Sequence, residues 1–252
     1  MDFQDLSDTK SLSTFSIKLN PSFTLHLSQQ NNTQNHGTTV WDSAKLLAFY
    51  LFDTIKKPTF SQSKVQNSKT CLELGSGCGL GGLVMASLGF ETVLTDLPEV
   101  VDRVLQPNCD TAIDAITDWW YHLQHTADLV DPPRISVAVR WIGFPTDGSA
   151  ASSTLRSRNH YIIASDCIYE IELVEAPGEL YPLLCLSLPH DFHCHGETGM
   201  MPWWMASLAR PKQFGFEARN DPQKAAQQQI GRNEDVEIWK LKLRKKQNHV
   251  ML

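Results

Sequence analysis

The sequence predicts an α/β fold organised around a βαβ unit, and three features of residues 70–98 support this prediction. A short apolar run at residues 71–74 has the length of a buried strand. A glycine-rich turn follows, and after it apolar residues recur at the i, i+3, i+4 spacing of a helix that buries one side (Leu80, Leu83, Val84 and Leu88). Gly89 can end this helix in the left-handed conformation, and a second β-type run at residues 91–95 ends on Asp96.

The turn between the first strand and the helix contains five glycines within eight residues (Gly75, Gly77, Gly79, Gly81 and Gly82). Packing of a strand against a helix needs one or two glycines, so five favour a turn that a ligand approaches. Such a turn presents backbone N–H groups at a helix N-terminus, and Asp96 can accept hydrogen bonds from both hydroxyls of a ribose. The unit therefore predicts a site for a nucleoside cofactor.

The kind of nucleoside is indicated by Leu80 and Glu73. A dinucleotide fingerprint, G-x-G-x-x-G, would need its third glycine at position 80, where this chain has Leu80. Two positions before the first glycine stands Glu73, whose carboxylate can help to hold an ammonium group and would repel a pyrophosphate. S-adenosylmethionine (SAM) has both a cationic amino-acid end and a ribose, so the pattern predicts SAM as the cofactor.

A β-hairpin and a helix are predicted before this unit. Residues 14–29 alternate apolar and polar side chains on either side of a turn at residues 20–22, and a polar loop follows. The helix begins at Asp42 or Ser43, either of which can cap it, and buries one stripe (Leu46, Leu47, Tyr50 and Leu51). Trp41, just before the cap, either packs on the first turn as a hydrophobic staple or forms an aromatic wall of the cofactor pocket.

The region after Asp96 predicts a helical stretch from Pro98, an insert at residues 109–133 and two further strands. The aromatic group at residues 118–122 favours a packed helix over a nucleic-acid stacking surface, because no Lys or Arg is interleaved with it. A strand at residues 135–141 ends on Trp141, which lies either against adenine or in apolar packing. The next strand ends in Ser165 and Asp166, followed by Tyr169, at the sheet edge where ligands bind.

These motifs together resemble those of the seven-strand, class I SAM-dependent protein-lysine methyltransferases that modify elongation factors and chaperones. The matching segments occur in the order W-D-S-A, L-E-L-G-S-G-C-G-L, L-T-D-L-P-E-V, R-W and A-S-D-C-I-Y. The resemblance covers roughly residues 15–186, and D-x-x-Y, here Asp166 and Tyr169, is its most specific element. It implies a Rossmann-like seven-strand methyltransferase sheet preceded by the β-hairpin and helix.

The resemblance also implies which residues carry the chemistry. Those that contact SAM in the family correspond here to Trp41, Gly75, Ser76, Gly77, Asp96, Trp141 and Ser165, beside the Glu73 already singled out. Asp166 and Tyr169 fall at the methionine end of the cofactor and at the channel for the substrate lysine. Asp166 would orient the lysine amine or accept its proton, and Tyr169 would wall the channel. The reaction requires no metal.

The chain departs from the family pattern after Leu186. A short β-branched run should form the fifth strand, but residues 189–197 read P-H-D-F-H-C-H-G-E. The fifth strand is therefore predicted to be atypical or missing, with later strands at residues 214–218 and 236–244. Zinc binding by His190, His193, Cys194 and His195 is disfavoured, because four candidates within six residues cannot comfortably surround one tetrahedral ion.

Domain organisation and composition complete the expectations. A flexible lead at residues 1–13 precedes one domain at residues 14–252, divided into an N-terminal hairpin and helix (14–69), a core (70–188) and a divergent C-terminal part (189–252). The net charge of −6 argues against nucleic acid as a partner, and no apolar run reaches the ~18 residues of a membrane span. Six cysteines without CxxC pairing indicate a reducing compartment, hence a cytoplasmic protein, which we expect to be a monomer.

The sequence thus predicts a SAM-dependent protein-lysine N-methyltransferase whose substrate is an elongation factor or chaperone. One alternative is a catalytically impaired family member that binds SAM or only a partner protein, which the missing fifth strand would favour. A second is a small-molecule or nucleic-acid methyltransferase on the same fold. A nicotinamide oxidoreductase is disfavoured by Leu80.

Overall fold

The computed structural model describes residues 9–31, 36–56, 69–124, 131–139, 161–165, 216–220 and 239–243. It confirms the predicted α/β fold with its βαβ unit. The unit consists of β3 (Lys69–Leu74), α2 (Leu80–Ser87) and β4 (Phe90–Asp96), and the strands β5 (Ile135–Val139) and β6 (Tyr161–Ala164) join the same sheet. As predicted, Gly89 follows α2 with a positive φ of 93°.

The four strands of this sheet are parallel and lie in the order β5-β4-β3-β6. The chain moves outward from β3 to β4 and β5 on one side, and β6 pairs with the other side of β3. The direction of winding therefore reverses at β3, which makes its carboxyl end the topological switch point where an open α/β sheet binds its ligand. The glycine turn begins at this point.

The N-terminal hairpin is confirmed as β1 (Thr14–Asn20) paired antiparallel with β2 (Phe23–Ser28). The turn is closed by Asn20, whose side-chain oxygen accepts a hydrogen bond from the Ser22 N–H at 2.7 Å. The apolar residues that alternate along the hairpin are all buried in the main core (Phe15, Ile17, Leu19, Phe23, Leu25 and Leu27). The hairpin is therefore packed on the domain rather than lying beside it.

Helix α1 (Asp42–Thr54) has the predicted buried stripe, but the predicted cap is wrong. Trp41 is the N-cap residue, and no side chain caps the helix. The Asp42 carboxylate instead binds two ammonium groups, those of Lys45 at 2.9 Å and Lys10 at 3.2 Å. These ion pairs draw the carboxylate away from the backbone amides that a capping residue would bind.

A nearly continuous helical stretch follows β4, so the insert boundary predicted at residue 109 is wrong. It comprises α3 (Pro98–Val100), a π-helical turn (Val101–Leu105) and α4 (Gln106–Leu123). Pro107 has no N–H to donate to the Arg103 carbonyl four residues earlier. The side-chain amide of Gln30, which follows the hairpin, donates to that carbonyl at 3.3 Å.

The aromatic group on α4 is packed, as predicted. Trp119 and Trp120 are buried, and Trp119 stacks on Phe23 of β2 with ring centroids 5.1 Å apart. Phe52 of α1 lies 6.2 Å from both of these rings. This aromatic cluster joins the hairpin, α1 and α4, and so fixes the N-terminal elements against the helix that follows β4.

Two strands are described near the C-terminus, β7 (Phe216–Asn220) and β8 (Trp239–Leu243), and they pair antiparallel. They coincide in part with the strands predicted at residues 214–218 and 236–244. The predicted fifth-strand region and the histidine-rich segment at residues 189–197 lie outside the described residues. No helix in the described part of the chain could cross a membrane, and no group of three potential metal ligands occurs there.

Candidate functional site

The glycine turn lies between β3 and α2, and its backbone depends on residues without a side chain. Gly75, Gly77 and Gly79 have φ angles of 59°, 54° and 88°, a region that L-residues rarely adopt. Ser76, between the first two, makes two hydrogen bonds to Thr95 of β4. The Ser76 N–H donates to the Thr95 carbonyl, and the Ser76 hydroxyl accepts from the Thr95 N–H, each at 3.0 Å. The turn is therefore fastened to the neighbouring strand.

Asp96, at the carboxyl end of β4, binds the same turn. Its carboxylate accepts the Gly77 N–H and the Leu97 N–H, each at 2.7 Å, and the residue is 5% exposed. Burial raises the pKa of the Asp96 carboxyl, while the hydrogen bonds from Gly77 and Leu97 act to lower it. An ionised carboxylate has about four lone-pair sites, so two remain for the hydroxyls of a ligand.

Glu73 belongs to β3 and lies beneath helix α2. It is 2% exposed, and its carboxyl accepts the Gly82 N–H at 2.9 Å. Gly82 is the third residue of α2, where an N–H has no partner inside the helix, so Glu73 supplies the acceptor that the helix start lacks. Burial is the main cause that raises the pKa of Glu73 to about 8, with the charge of Asp96 adding to it and the hydrogen bonds of Gly82 and Ser76 opposing it.

Two of the five glycines are required by this packing. A Cβ on Gly81 would lie 2.3 Å from Glu73 Oε1, and a Cβ on Gly82 would lie 2.6 Å from the Leu94 Cδ2 atom. This agrees with the expectation that strand–helix packing accounts for one or two of the five glycines. Gly81 and Gly82 make room for Glu73 and Leu94, which leaves Gly75, Gly77 and Gly79 as the glycines of the turn itself.

A short segment from the N-terminal part covers the glycine turn. Gly37 lies in a 3₁₀ turn (His36–Thr38), and a Cβ on Gly77 would be 3.0 Å from the Gly37 carbonyl oxygen. The Thr38 hydroxyl donates to the Gln30 carbonyl at 2.7 Å, and the Gln30 N–H donates back to the Thr38 carbonyl at 2.9 Å. The end of the hairpin therefore holds this segment against the turn.

Gln29 and Gln30 also contribute to the site, although the sequence predicts only a polar loop there. Gln29 is 4% exposed, and its side-chain oxygen accepts the Val40 N–H at 2.8 Å, one residue before Trp41. Its side-chain amide donates to the carbonyls of Thr9 and Leu12. A pair of glutamines directly after a strand is the only signal in the sequence, and it does not identify partners 8 to 73 residues away.

Trp41 is 36% exposed, and its indole N–H donates to the His36 carbonyl at 2.8 Å. The Lys10 ammonium lies 4.8 Å from the centre of the indole ring and also pairs with Asp42. Asp42 in turn binds Lys45, whose side chain is completely buried. Burial acts to raise the pKa of Asp42, but the hydrogen bond and charge of Lys45 and the charge of Lys10 outweigh it, so this pKa lies below its ordinary value.

The remaining predicted site residues are placed as follows. Ser165 directly follows β6, whose residue Ala164 is in register with Leu74 at the end of β3, so Ser165 lies at the same edge of the sheet as the glycine turn. Trp141, Asp166 and Tyr169 lie outside the described residues, and their roles stay predictions. The structure thus brings Gly75, Ser76, Gly77, Asp96 and Ser165 to one sheet edge.

Comparisons with known proteins show which proteins this chain resembles. Residues 19–126 match the model of a family described as lysine methyltransferase. The protein-lysine N-methyltransferase rrg1 of Schizosaccharomyces pombe is 32% identical over 58% of this chain. The aligned part covers 41% of the length of that relative. The EEF1A lysine methyltransferase 3 of Xenopus tropicalis is 25% identical over 86% of this chain and 81% of its own length.

Among solved structures, the glycopeptide N-methyltransferase MtfA complexed with sinefungin is similar over 86% of this chain and 92% of its own, at 14% identity and a TM-score of 0.45. This likeness is too low to support a conclusion. The family match, by contrast, covers β2, α1, the glycine turn, Asp96 and α4. Residues 19–126 of this chain are therefore similar to the lysine methyltransferase family.

Proposed function

We propose that this protein is a SAM-dependent protein-lysine N-methyltransferase whose substrate is a translation elongation factor or a chaperone. The observation that carries the proposal is the joint made by Gly77 and Asp96 at the switch point of the sheet. This joint combines backbone amides at a helix start with a carboxylate that keeps free acceptor sites. The match of residues 19–126 to the lysine methyltransferase family supports it.

The residues present fit SAM. Asp96 holds the Gly77 N–H of the glycine turn, and its carboxylate retains acceptor sites for two ribose hydroxyls. We propose that Gly75, Ser76, Gly77 and Asp96 hold the cofactor, together with Trp41, Trp141 and Ser165. When bound, SAM supplies a methyl group that its sulfonium already activates.

Glu73 is proposed to act on the site through α2. Its carboxyl steadies the start of the helix by accepting the Gly82 N–H. Direct or water-mediated contact with the ammonium group of the cofactor stays a prediction from the sequence, and a substitution described below separates the two roles.

The protein's own part in the reaction is to orient a neutral lysine amine and to exclude water from it. We propose that Asp166 orients the amine or accepts its proton and that Tyr169 walls the lysine channel. The names of two relatives, a protein-lysine methyltransferase and an EEF1A lysine methyltransferase, support a lysine in a protein as the acceptor and favour an elongation factor. The chaperone alternative rests on the resemblance described above.

We further propose that the protein works as a cytoplasmic monomer and binds no nucleic acid or membrane. Cys71, Cys78 and Cys109 are free and buried in the described part of the chain, as is usual for proteins of a reducing compartment. The net negative charge disfavours a nucleic-acid partner.

Calorimetric titration of the purified protein with SAM, with NAD as a control, tests the cofactor. We expect one site for SAM and no response to NAD. Transfer of radiolabelled methyl groups to a recombinant elongation factor or chaperone then tests the acceptor, with Asp166→Ala and Tyr169→Phe as comparison variants. Binding without transfer to any protein would favour an impaired member or a small-molecule methyltransferase, and a cooperatively folded protein that binds no SAM would refute the proposal.

A further inference from the structure

Asn108 is a buried polar residue on α4 that bridges the hairpin and the glycine turn. It is 1% exposed, and its side-chain oxygen accepts the Ser28 N–H at 2.7 Å. Its side-chain amide donates to the Ser28 carbonyl and to the Cys78 carbonyl, each at 3.1 Å. A carboxamide can accept and donate at the same time, so this one side chain satisfies three backbone groups on two different elements.

The first two of these bonds cover the end of an edge strand. Ser28 is the last residue of β2, and the neighbouring Gln29 N–H bonds back to Ser13 beyond β1. Among the strands that the structure describes, β2 pairs with β1 alone. The Asn108 carboxamide pairs with the N–H and carbonyl of Ser28 as a further strand would. These two bonds fix the position of α4 along strand β2.

The third bond determines the orientation of one peptide unit of the glycine turn. The Cys78 carbonyl and the Gly79 N–H belong to the same planar unit. Asn108 binds the carbonyl at 3.1 Å, and the Ser76 carbonyl accepts the N–H at 2.7 Å. With both ends bonded, this peptide cannot rotate, and the positive φ angles of its neighbours Gly77 and Gly79 are maintained.

We propose that Asn108 is a positioning residue for the cofactor: by holding the Cys78–Gly79 peptide, it keeps the Gly77 N–H directed at Asp96 and the glycine turn shaped for SAM before SAM binds. The inference rests on the proposed function. It makes the N-terminal hairpin part of the cofactor site, because Asn108 transmits the position of Ser28 to the turn. Asn108 touches no reacting atom, so it governs binding of the cofactor rather than the transfer step.

The test compares Asn108→Asp with Trp119→Phe. Aspartate has the same shape and keeps the acceptor for the Ser28 N–H, but it lacks both amide donors. Trp119 lies on the same helix, is buried, and donates its indole N–H to the Ser87 carbonyl at the far end of α2 at 3.1 Å. Trp119→Phe therefore removes one buried hydrogen bond between α4 and α2 without touching the turn.

We expect Asn108→Asp to weaken SAM binding by about tenfold or more in calorimetry, because a buried carbonyl loses its donor and the turn loses its shape. In the methyl-transfer assay, KM for SAM should rise while kcat at saturating SAM stays within about twofold of the wild type. Trp119→Phe should lower the melting temperature but leave the Kd for SAM within about twofold, since the turn is unchanged. Where Asn108→Asp does not fold, Asn108→Ala, which introduces no charge, takes its place.

A second measurement does not require SAM to bind. Cys78 is 3% exposed and lies on the peptide that Asn108 holds, so its alkylation by iodoacetamide, followed by peptide mass mapping, reports opening of the turn. We expect faster labelling of Cys78 relative to Cys71 in the Asn108 variant and an unchanged ratio in Trp119→Phe. Equal Kd values, or equal Cys78 labelling, for the two variants would overturn the inference, whereas a folded wild-type protein that binds no SAM would refute only the proposed function.

Discussion

The glycine turn and the first turn of helix α2 are adjacent, and each rests on a buried carboxyl group that accepts backbone N–H groups. Asp96 stands at the carboxyl end of β4, binds two N–H groups and keeps acceptor sites at the ligand edge of the sheet. Glu73 stands one residue before the end of β3, binds one N–H group and is enclosed beneath the helix by Gly81 and Gly82.

The difference between the two carboxyl groups follows from their place along the strand. Asp96 is the last paired residue of β4 and lies at the carboxyl end of the strand, where open α/β sheets bind ligands, whereas Glu73 stands one residue before the end of β3 and its carboxyl binds the Gly82 N–H of α2. Two acidic residues that look alike in a motif therefore differ in environment: Glu73 supports a helix, and Asp96 is the one we propose for a ligand. Substitutions at and around these two positions test the distinction.

The largest expected effect is that of Asp96→Ala on cofactor binding. Removal of the carboxylate takes away the acceptor proposed for the ribose and releases the Gly77 N–H. We expect SAM affinity to fall by roughly 100-fold, since hydrogen bonds to charged groups contribute about 1.5–3 kcal/mol each. Calorimetry on protein whose cooperative melting has been verified measures this, and an unchanged Kd would remove Asp96 from the site.

Gly82→Ala tests the enclosed side of the comparison. The new Cβ would lie 2.6 Å from Leu94 Cδ2 and 2.8 Å from Glu73 Oε2, both fully surrounded by core. We expect the free energy of unfolding to fall by about 1–3 kcal/mol, as is usual for overpacked cores. Urea denaturation measures the loss, and Ala86→Gly, a small change in the same helix, serves as the control for helix propensity.

Glu73→Gln separates a helix-supporting role from contact with the cofactor. Between about pH 4.5 and 8 the folded protein keeps a proton on Glu73 that the unfolded chain releases, so wild-type stability falls as pH rises through this window. Glutamine keeps an acceptor for the Gly82 N–H and does not titrate. We therefore expect the variant to lose this part of the pH dependence, which amounts to at most about 1.4 kcal/mol per pH unit.

The same variant should bind SAM within about threefold of the wild type, because a capping acceptor remains. Denaturation at pH 5, 6.5 and 8, with calorimetry at each pH, covers both measurements. A loss of SAM affinity of tenfold or more without loss of stability would instead support the contact with the ammonium group that the sequence predicts.

The smallest effect is expected for Ser76→Ala, at the joint between the two carboxyl groups. The Ser76 hydroxyl accepts the Thr95 N–H at 3.0 Å and contacts the Glu73 carbonyl at 3.4 Å. Its removal should cost about 1 kcal/mol of stability, since one buried N–H loses its acceptor. Thermal melting measures the change. A loss of more than about 3 kcal/mol in the free energy of unfolding would show that the hydroxyl stabilises the turn by more than these two bonds.

The sequence predicted those parts of the fold that depend on neighbouring residues. The hairpin, β3, α2 and β4 follow from alternation, helical spacing and turn glycines, all of which operate within a few positions. The helix cap at Asp42 was predicted wrongly because Lys10, 32 positions earlier, and Lys45 compete for its carboxylate. The boundary predicted at residue 109 falls inside α4, which begins at Gln106 directly after a π-helical turn.

The candidate site was predicted in the same partial way. Gly77 and Asp96 belong to one motif and their contact spans 19 positions, which a βαβ pattern implies. Asn108 and Ser28 are 80 positions apart, and no periodicity connects them. Gln29 and Asn108 are polar residues whose burial depends on tertiary packing, so the sequence alone could not distinguish them from surface residues.

The bridge between Ser28 and Asn108 has a consequence for the order in which the molecule assembles. Contacts this distant in the chain close late in folding, because a long loop must be ordered before they form. The hairpin can form early from its own sequence, but the glycine turn acquires its final shape only when α4 docks. We therefore expect the cofactor to favour the last step of folding and, by mass action, to raise the melting temperature as its concentration exceeds its Kd.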